Sequence, residues 1–283
     1  MGTWAGSKGK QQEKSNPCGF HRGTGRSVAM KYFGEDGGGQ AELLRESLLL
    51  EAASARNPFV VGSRGLARNP ATADVCLVMD SGGAILRDAL RRQPGPLPES
   101  TVRAAMWQLL EGAKRMHAAH IVHRDIKPHN ILLGDDRVLR ICDFGLAVHM
   151  SEPPPYGQAG TLWYMAPEVL LGMPDYDALV DAWSLGCVMA QLLGGEAPFQ
   201  GADEEDQLSA IVGVLGVPES GWRGVAVVLV HAVRRRDDED GQEAVQDQHP
   251  ALQVPGDQAV LGRLRGAQRP PHVQPRQEAA KEA

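Results

Sequence analysis

The stretch 120–145, which reads HIVHRDIKPHNILLGDDRVLRICDFG, constrains the fold of this 283-residue chain more than any other. It contains two short apolar runs, 131–133 and 138–142, on either side of the polar turn 134–136. This order predicts a β-hairpin, with one loop before its first strand and another after its second. The outer ends of a hairpin lie close together, so polar groups that are distant in sequence would share one site there.

Four polar residues flank this hairpin. Asp125 is followed by Lys127 and Asn130, and Asp143 comes directly after the second strand. One carboxylate can accept a proton, while an amide and a second carboxylate offer the hard oxygen ligands that Mg²⁺ prefers. The Lys127 ammonium can hold a phosphoryl group in transfer. The pattern therefore predicts phosphoryl-transfer chemistry at this end of the hairpin.

Composition restricts the class of protein. Apolar residues make up 42% of the chain and charged residues 23%, which is typical of a soluble globular protein. The net charge of −6 argues against nucleic-acid binding, and no apolar run approaches the roughly 18 residues of a membrane span. The four cysteines lack metal-ligand spacing, which favours free thiols in a reducing compartment. We expect an intracellular protein, in the cytoplasm or nucleus, without nucleic-acid or membrane partners.

The first third of the chain predicts a small sheet-rich lobe. Strands are expected over 27–33, 58–67 and 74–80, with Ala29 and Lys31 on one face of the first. A helix is expected over 41–55, because its leucines repeat at helical spacing. Its apolar side would consist of Leu43, Leu44, Leu48 and Leu50. Strands beside one helix indicate an α+β arrangement.

The rest of the chain is mainly helical in pattern. Residues 99–118 carry an apolar stripe, and residues 206–214 predict a short helix. Residues 177–193 are apolar nearly all round, which predicts a buried helix. Residues 223–283 lack such a stripe and contain the bare β-branched run 225–230.

Over about residues 23–222 the chain resembles the eukaryotic protein kinases, and most of all the cyclin-dependent kinases. Four motifs occur in the family's order: Val-Ala-Met-Lys at 28–31, His-Arg-Asp at 123–125, Asp-Phe-Gly at 143–145 and Ala-Pro-Glu at 166–168. Four motifs in one order at compatible spacings are far more specific than any one of them.

The resemblance implies an α+β, two-lobed protein-kinase fold that is apparently truncated. Its β-rich small lobe would span about 23–82 and its mainly helical large lobe about 83–222. An irregular segment, 1–22, would precede it. An atypical tail, 223–283, would follow, with disorder as one interpretation.

The implied activity is ATP- and Mg²⁺-dependent transfer of the γ-phosphoryl group to protein serine or threonine hydroxyls. Asp125 would accept the proton of the substrate hydroxyl, and Lys127 would steady the γ-phosphate. Asn130 and Asp143 would bind Mg²⁺. Lysine two residues after the aspartate is the serine/threonine-kinase form. Thr161 agrees with it, since such kinases place a threonine where it bonds both Asp125 and Lys127.

In the small lobe, Lys31 would contact the α- and β-phosphates of ATP, held by a glutamate on the following helix. Glu46 is the best match for that partner, with Glu42 and Glu51 as alternatives.

The stretch at Asp80, Ser81 and Gly82 resembles the hinge between lobes, where backbone groups would bond adenine and Met79 would lie behind. A glycine-rich phosphate loop should fall near residues 9–16. The sequence there is GKQQEKSN, which matches at one glycine only.

The activation segment also departs from the family pattern. Arg124 implies pairing with a loop phosphate, yet Tyr156 stands where cyclin-dependent kinases carry the activating threonine. Ser151 and Tyr156 remain candidate phosphosites. Glu168 would pair with an arginine late in the large lobe, for which Arg276 is a weak candidate.

A cyclin-type partner is left open, because the helix that would meet it reads AELLRES and not PSTAIRE. Two alternatives to an active kinase follow from these departures. One is a pseudokinase that serves as a binding or scaffold module. The other is a chain that folds poorly and exposes 225–230, with an altered reading frame near Trp222 as a hypothesis for its origin.

Overall fold

A computed structural model describes the chain over the following residues: 4–6, 18–21, 27–32, 39–68, 74–92 and 94–216. The predictions for residues 9–16, the tail 223–283 and Arg276 lie outside these ranges. All described residues belong to one compact unit, Met1–Glu239.

The first part is a five-stranded antiparallel sheet with one helix. Its strands are β1 Trp4–Gly6, β2 Cys18–His21, β3 Ser27–Tyr32, β4 Ser63–Arg68 and β5 Val75–Asp80, and helix α1 is Gly39–Ser54. The strand order is β1-β2-β3-β5-β4, so β3 lies in the middle of the sheet and pairs with β5. As predicted, Ala29 and Lys31 share one face of β3, while Val28 and Met30 are buried on the other.

Helix α1 buries a different face from the one its leucines predict. Leu43 and Leu50 are buried, but Leu44 is 50% exposed and Leu48 is 59% exposed. Glu46 is buried in their place, at 2% exposure. Leucines on both sides of a helix leave its orientation undecided, and here the buried carboxylate marks the inward face.

The segment Asn57–Val61 is a buried loop, so the predicted strand over 58–67 is wrong in its first half. Its backbone bonds go to Ile141 in the second part: Val61 N donates to Ile141 O at 2.9 Å, and Ile141 N donates to Phe59 O at 2.8 Å. The Asn57 amide donates to Gly112 O at 3.0 Å. These bonds satisfy the buried backbone without a neighbouring strand of the first sheet.

The second part is mainly helical. Its elements are β6 Ala84–Ile85, α2 Leu86–Arg92, α3 Glu99–Ala118, β7 Ile121–Val122, β8 Ile131–Leu133, β9 Leu139–Ile141, β10 Val148–His149, α4 Pro167–Leu170, α5 Leu179–Gly194 and α6 Glu204–Leu215. Strands β8 and β9 pair as the predicted hairpin, with Ile131 opposite Ile141. The pair β7 and β10 lies on either side of that hairpin in sequence.

Helices α3 and α5 pack together and form the base of the site. The predicted stripe of α3 is buried at Val102, Met106, Leu109, Ala113 and Met116, but Leu110, which is expected in it, is 51% exposed. The prediction that α5 is buried all round is wrong: Leu179 is 66% exposed, and Met189 and Leu193 are each 43% exposed. The helix packs by one face only, and an apolar surface does not reveal from sequence which face that is. Within the described ranges no helix is long and apolar enough to cross a membrane.

Candidate active site

A buried aspartate on α5 holds the loop that follows β7. Both oxygens of Asp181 accept backbone bonds, from His123 N at 2.8 Å and from Arg124 N at 2.8 Å, and His117 Nε2 lies 2.8 Å from Oδ2. Asp181 is fully buried. Sequence reasoning missed this residue; the available signal was a single acid inside an otherwise apolar helix. The carboxylate fixes where the next residues of the loop point.

The next residues form a compact polar group. Asp125 accepts from Asn130 Nδ2 at 2.9 Å and from Thr161 Oγ1 at 2.7 Å. Lys127 Nζ lies 2.8 Å from Asp125 Oδ2 and donates to the Thr161 hydroxyl. The structure thus brings together Asp125, Lys127, Asn130 and Thr161, which are up to 36 residues apart. A carboxylate bonded to a lysine and a threonine is positioned to receive a proton beside a cation.

Lys31 lies between two carboxylates at the junction of the two parts. Its Nζ is 2.8 Å from Glu46 Oε1 and 2.7 Å from Asp143 Oδ1. Glu42 and Glu51 are exposed, so the geometry selects Glu46 as the partner on α1. Burial opposes the charge of the Lys31 ammonium, but the Asp143 and Glu46 carboxylates together outweigh burial and raise its pKa.

Asp143 is held in a left-handed conformation, with φ +67. Burial opposes its charge, but Lys31, the His123 side chain and the Gly145 backbone together lower its pKa, so it stays ionised. The Phe144 ring is fully buried and packs edge-on against His123, with centroids 4.9 Å apart. This packing fixes the backbone that presents the Asp143 carboxylate.

The donor set fits a Mg²⁺ ion. The amide nitrogen of Asn130 donates twice to Asp125, and among the described residues nothing donates to its amide oxygen. Asp143 supplies an ionised carboxylate at the same end of the hairpin, where Cys142 N donates to Asn130 O at 2.9 Å. No group of three or more His, Cys, Asp or Glu side chains suited to a metal occurs in the described ranges. Two protein oxygens would suffice, because Mg²⁺ commonly takes its other ligands from phosphates and water.

The predicted hinge follows β5. The Asp80 carboxylate is bonded by Arg64, at 2.7 Å from Nε and 3.0 Å from Nη2, and the Asp80 N–H donates to Gly62 O at 2.9 Å. Gly82 is buried against Leu132, whose Cδ1 would lie 2.2 Å from an added Cβ. Met79 is buried behind it. A side chain at position 82 would displace Leu132, which explains why glycine stands there.

Arg124 lies in the loop that follows β7, and the other residues predicted for the activation segment, Ser151, Tyr156 and Glu168, lie beyond β10 in the chain. Arg124 donates to Leu146 O, Gly157 O and the Tyr176 hydroxyl. The Ser151 hydroxyl lies 2.7 Å from His149 Nδ1, and the Tyr156 hydroxyl donates to a backbone oxygen. Within the described ranges the Glu168 carboxylate has no ion-pair partner.

Replacing Gly160 by alanine will destabilise the segment next to Thr161. Gly160 has φ +121, and an added Cβ would lie 2.6 Å from the carbonyl oxygen of Arg124. We expect a loss of about 1–3 kcal/mol in the free energy of unfolding. Urea titration measures it. Gly157→Ala is the matched control, because its Cβ would meet nothing within 4 Å. Equal stability of the two variants would contradict the strain assigned to Gly160.

These two lobes, with a lysine–glutamate pair in one and an Asp-Lys-Asn-Thr group in the other, define a protein kinase. The family model described as "Protein kinase domain" matches residues 17–219, and the chain belongs to that family. The prediction of an α+β protein-kinase fold is confirmed.

Within the family the chain is similar to cyclin-dependent kinases, as predicted. It is 41% identical over 215 residues to putative cyclin-dependent kinase F-2 of Oryza sativa subsp. japonica, covering 72% of this chain and 66% of that protein. It is 45% identical over 154 residues to cyclin-dependent kinase G1 of Arabidopsis thaliana, covering 53% of this chain and 25% of that protein. Mitogen-activated protein kinase 14 of Xenopus laevis is 43% identical over 146 residues, with 52% and 40% covered. The chain thus spans a quarter to two thirds of the length of these relatives.

Proposed function

We propose that this chain is an ATP- and Mg²⁺-dependent protein serine/threonine kinase of the cyclin-dependent-kinase-like type. Its small lobe would span about 23–82 and its large lobe about 83–222, with 1–22 and 223–283 as flanking segments. The observation that carries the proposal is the 2.8 Å pair between Lys31 and Glu46, formed together with the Asp125 group. The first orients the nucleotide phosphates and the second receives the proton of the substrate hydroxyl, and transfer requires both.

Each residue then has a chemical role. The Asp125 carboxylate accepts the proton of the substrate hydroxyl as its oxygen attacks the γ-phosphorus and the bond to ADP breaks. The Lys127 ammonium stabilises the charge on the transferring group, and Lys31 orients the α- and β-phosphates. Asn130 and Asp143 would hold Mg²⁺, which when bound neutralises phosphate charge. The backbone at Asp80 and Gly82 would bond adenine. The bond from Lys127 to Thr161 supports serine and threonine as acceptors.

A protein that carries a serine or threonine hydroxyl is the proposed substrate. A cyclin-type partner is a further proposal, supported by the exposed apolar surface that Leu44 and Leu48 place on the outside of α1. Calorimetric titration with a cyclin tests it, and the absence of heat at micromolar concentrations would remove it.

An intracellular location is also proposed. Cys76, Cys142 and Cys187 are free thiols, and burial raises the pKa of the last two to about 12. Unreactive free thiols are what a reducing compartment preserves. Fluorescence imaging of the tagged chain tests this, and accumulation in the secretory pathway would contradict it.

Mg²⁺-ATP will stabilise the chain against heat. A ligand at 100 times its Kd adds about 2.7 kcal/mol to the free energy of unfolding, which thermal unfolding detects. Lys31→Met should remove most of this gain and reduce transfer at least about 100-fold. Lys114→Met is the control, because Lys114 is 78% exposed on α3. Stabilisation without transfer to any protein substrate would indicate a nucleotide-binding pseudokinase. The absence of both stabilisation and transfer would rule out the proposed function.

A further inference from the structure

The segment 146–160 is tied to α1 by one arginine. Arg45 Nη1 donates to Ala147 O at 2.7 Å, and Nη2 lies 3.1 and 3.2 Å from the two carboxylate oxygens of Glu152. The next residue of α1 is Glu46, which pairs with Lys31. A contact that fixes Arg45 therefore also fixes the rotation of the helix that presents Glu46 to Lys31.

The same segment is tied to the catalytic loop by a second arginine. Arg124 Nε donates to Leu146 O at 2.7 Å, and Nη1 donates to the Tyr176 hydroxyl at 2.8 Å and to Gly157 O at 3.3 Å. The Tyr176 hydroxyl in turn donates to Gly157 O at 2.8 Å. Neutral oxygens of the protein thus accept from Nε and Nη1 of this guanidinium.

Tyr156 connects the two arginines. Its hydroxyl donates to Glu152 O at 2.8 Å, and its backbone N–H donates to Pro174 O at 2.8 Å. Its ring packs on Tyr176, with centroids 5.5 Å apart. Contacts therefore connect five residues, which we call the segment clasp: Arg45, Glu152, Tyr156, Tyr176 and Arg124. Within it Glu152 takes part twice, with its carboxylate toward Arg45 and its backbone carbonyl toward Tyr156.

We propose that the segment clasp holds the activation segment in its working position without any phosphate on that segment. Glu152 supplies the negative charge that Arg45 binds, and Tyr156 links it to Arg124. Glu152 and Tyr156 are thus positioning residues for phosphoryl transfer, and the inference rests on the proposed kinase function. The Arg45 and Glu152 side chains are 40% and 48% exposed, so this pair is weak by itself. Its effect comes from the connected network.

The segment clasp also predicts whether phosphorylation of Tyr156 raises or lowers phosphoryl transfer. A phosphate on its oxygen would remove the proton that Glu152 O accepts, and it would place about two negative charges against that carbonyl oxygen, in the residue whose carboxylate Arg45 binds. Negative charge there is repelled by both groups of Glu152. Phosphorylation of Tyr156 therefore opens the clasp and lowers transfer.

The test compares the chain before and after treatment with a broad-specificity phosphatase. We expect transfer to change by less than about twofold, while Glu152→Gln lowers kcat about tenfold with little change in Tm. Arg45→Gln should act similarly, and the double variant should be no worse than either single one, because both remove the same contact. Glu205→Gln, an exposed acid on α6, is the control and should leave kcat unchanged.

Hydrogen exchange of residues 146–160 provides a readout that does not need activity. Glu152→Gln and Tyr156→Phe should each speed exchange there by about tenfold, with α3 unaffected. Transfer lost on phosphatase treatment, or unchanged exchange in both variants, would overturn the clasp. If the unmodified chain transfers no phosphate at all, the proposed function fails, and the exchange result alone decides the clasp.

Discussion

Asp125→Asn will lower kcat for phosphoryl transfer about 1,000-fold while leaving the fold intact. The change keeps the size of the side chain and an oxygen that accepts from Thr161, while its amide nitrogen replaces the Oδ2 that Asn130 and Lys127 contact. An amide cannot take the proton of a substrate hydroxyl. A positioned base contributes about 100- to 10,000-fold to rate, so the expected loss is near the middle of that range.

Steady-state transfer to a serine- or threonine-containing protein measures the effect, with urea titration to show that stability is retained. Asp135→Asn in the hairpin turn is the control, because Asp135 is exposed and makes no contact used in the Asp125 group. Transfer that survives Asp125→Asn or Asp125→Ala would remove Asp125 as the base, whereas a large loss of stability would leave the rate uninterpretable and require the alanine variant.

Asp181→Ala will have the largest effect on stability. It leaves the N–H groups of His123 and Arg124 without acceptors in a fully buried site, and it removes the partner of His117. Breaking a buried charged network by removing one member costs about 3–5 kcal/mol. That is a large fraction of the roughly 5–15 kcal/mol by which a domain is folded.

Urea unfolding at constant m-value measures this loss. Asp175→Ala, an exposed aspartate just before α5, should change stability by less than about 0.5 kcal/mol. The loss of stability in Asp181→Asn should lie between those of Asp181→Ala and Asp175→Ala, because an amide retains one oxygen acceptor. A loss below about 1 kcal/mol for Asp181→Ala would mean that water or another group satisfies the loop.

The parts of the site that are local in sequence could be predicted. The hairpin β8–β9 follows from two apolar runs and a polar turn, and its geometry returns Asn130 and Asp143 to the same end. The motif order identified the family and the Asp125 group. Glu46 could be ranked above Glu42 and Glu51 only by resemblance, since α1 is apolar on both sides and its pattern does not fix which face is buried.

What could not be predicted depends on contacts between distant residues. Asp181 lies 58 positions from His123, and Arg45 lies 107 positions from Glu152. Hydrophobic periodicity indicates whether a residue is buried, but it does not identify the residues that it contacts. Neither pair could therefore be predicted from the sequence pattern. The prediction that α5 is buried all round failed for the same reason. A helix that is apolar on every side is predicted to be buried, whichever of its faces has a packing partner.

The loop Asn57–Val61 sets the way in which the two lobes can move. It belongs to the small lobe in sequence, yet its backbone is bonded to Ile141 and its asparagine to Gly112 in the large lobe. The chain crosses between the lobes a second time at Asp80 to Gly83, where Gly83 has φ +94. Among the described residues these are the two backbone attachments between the lobes, and rotation about the line that joins them preserves both. The side-chain contacts of Lys31 with Asp143 and of Arg45 with Ala147 and Glu152 would separate in that rotation. Nucleotide entry and ADP release would therefore proceed by a one-axis rotation of β3, β5 and α1, and not by general loosening of the small lobe.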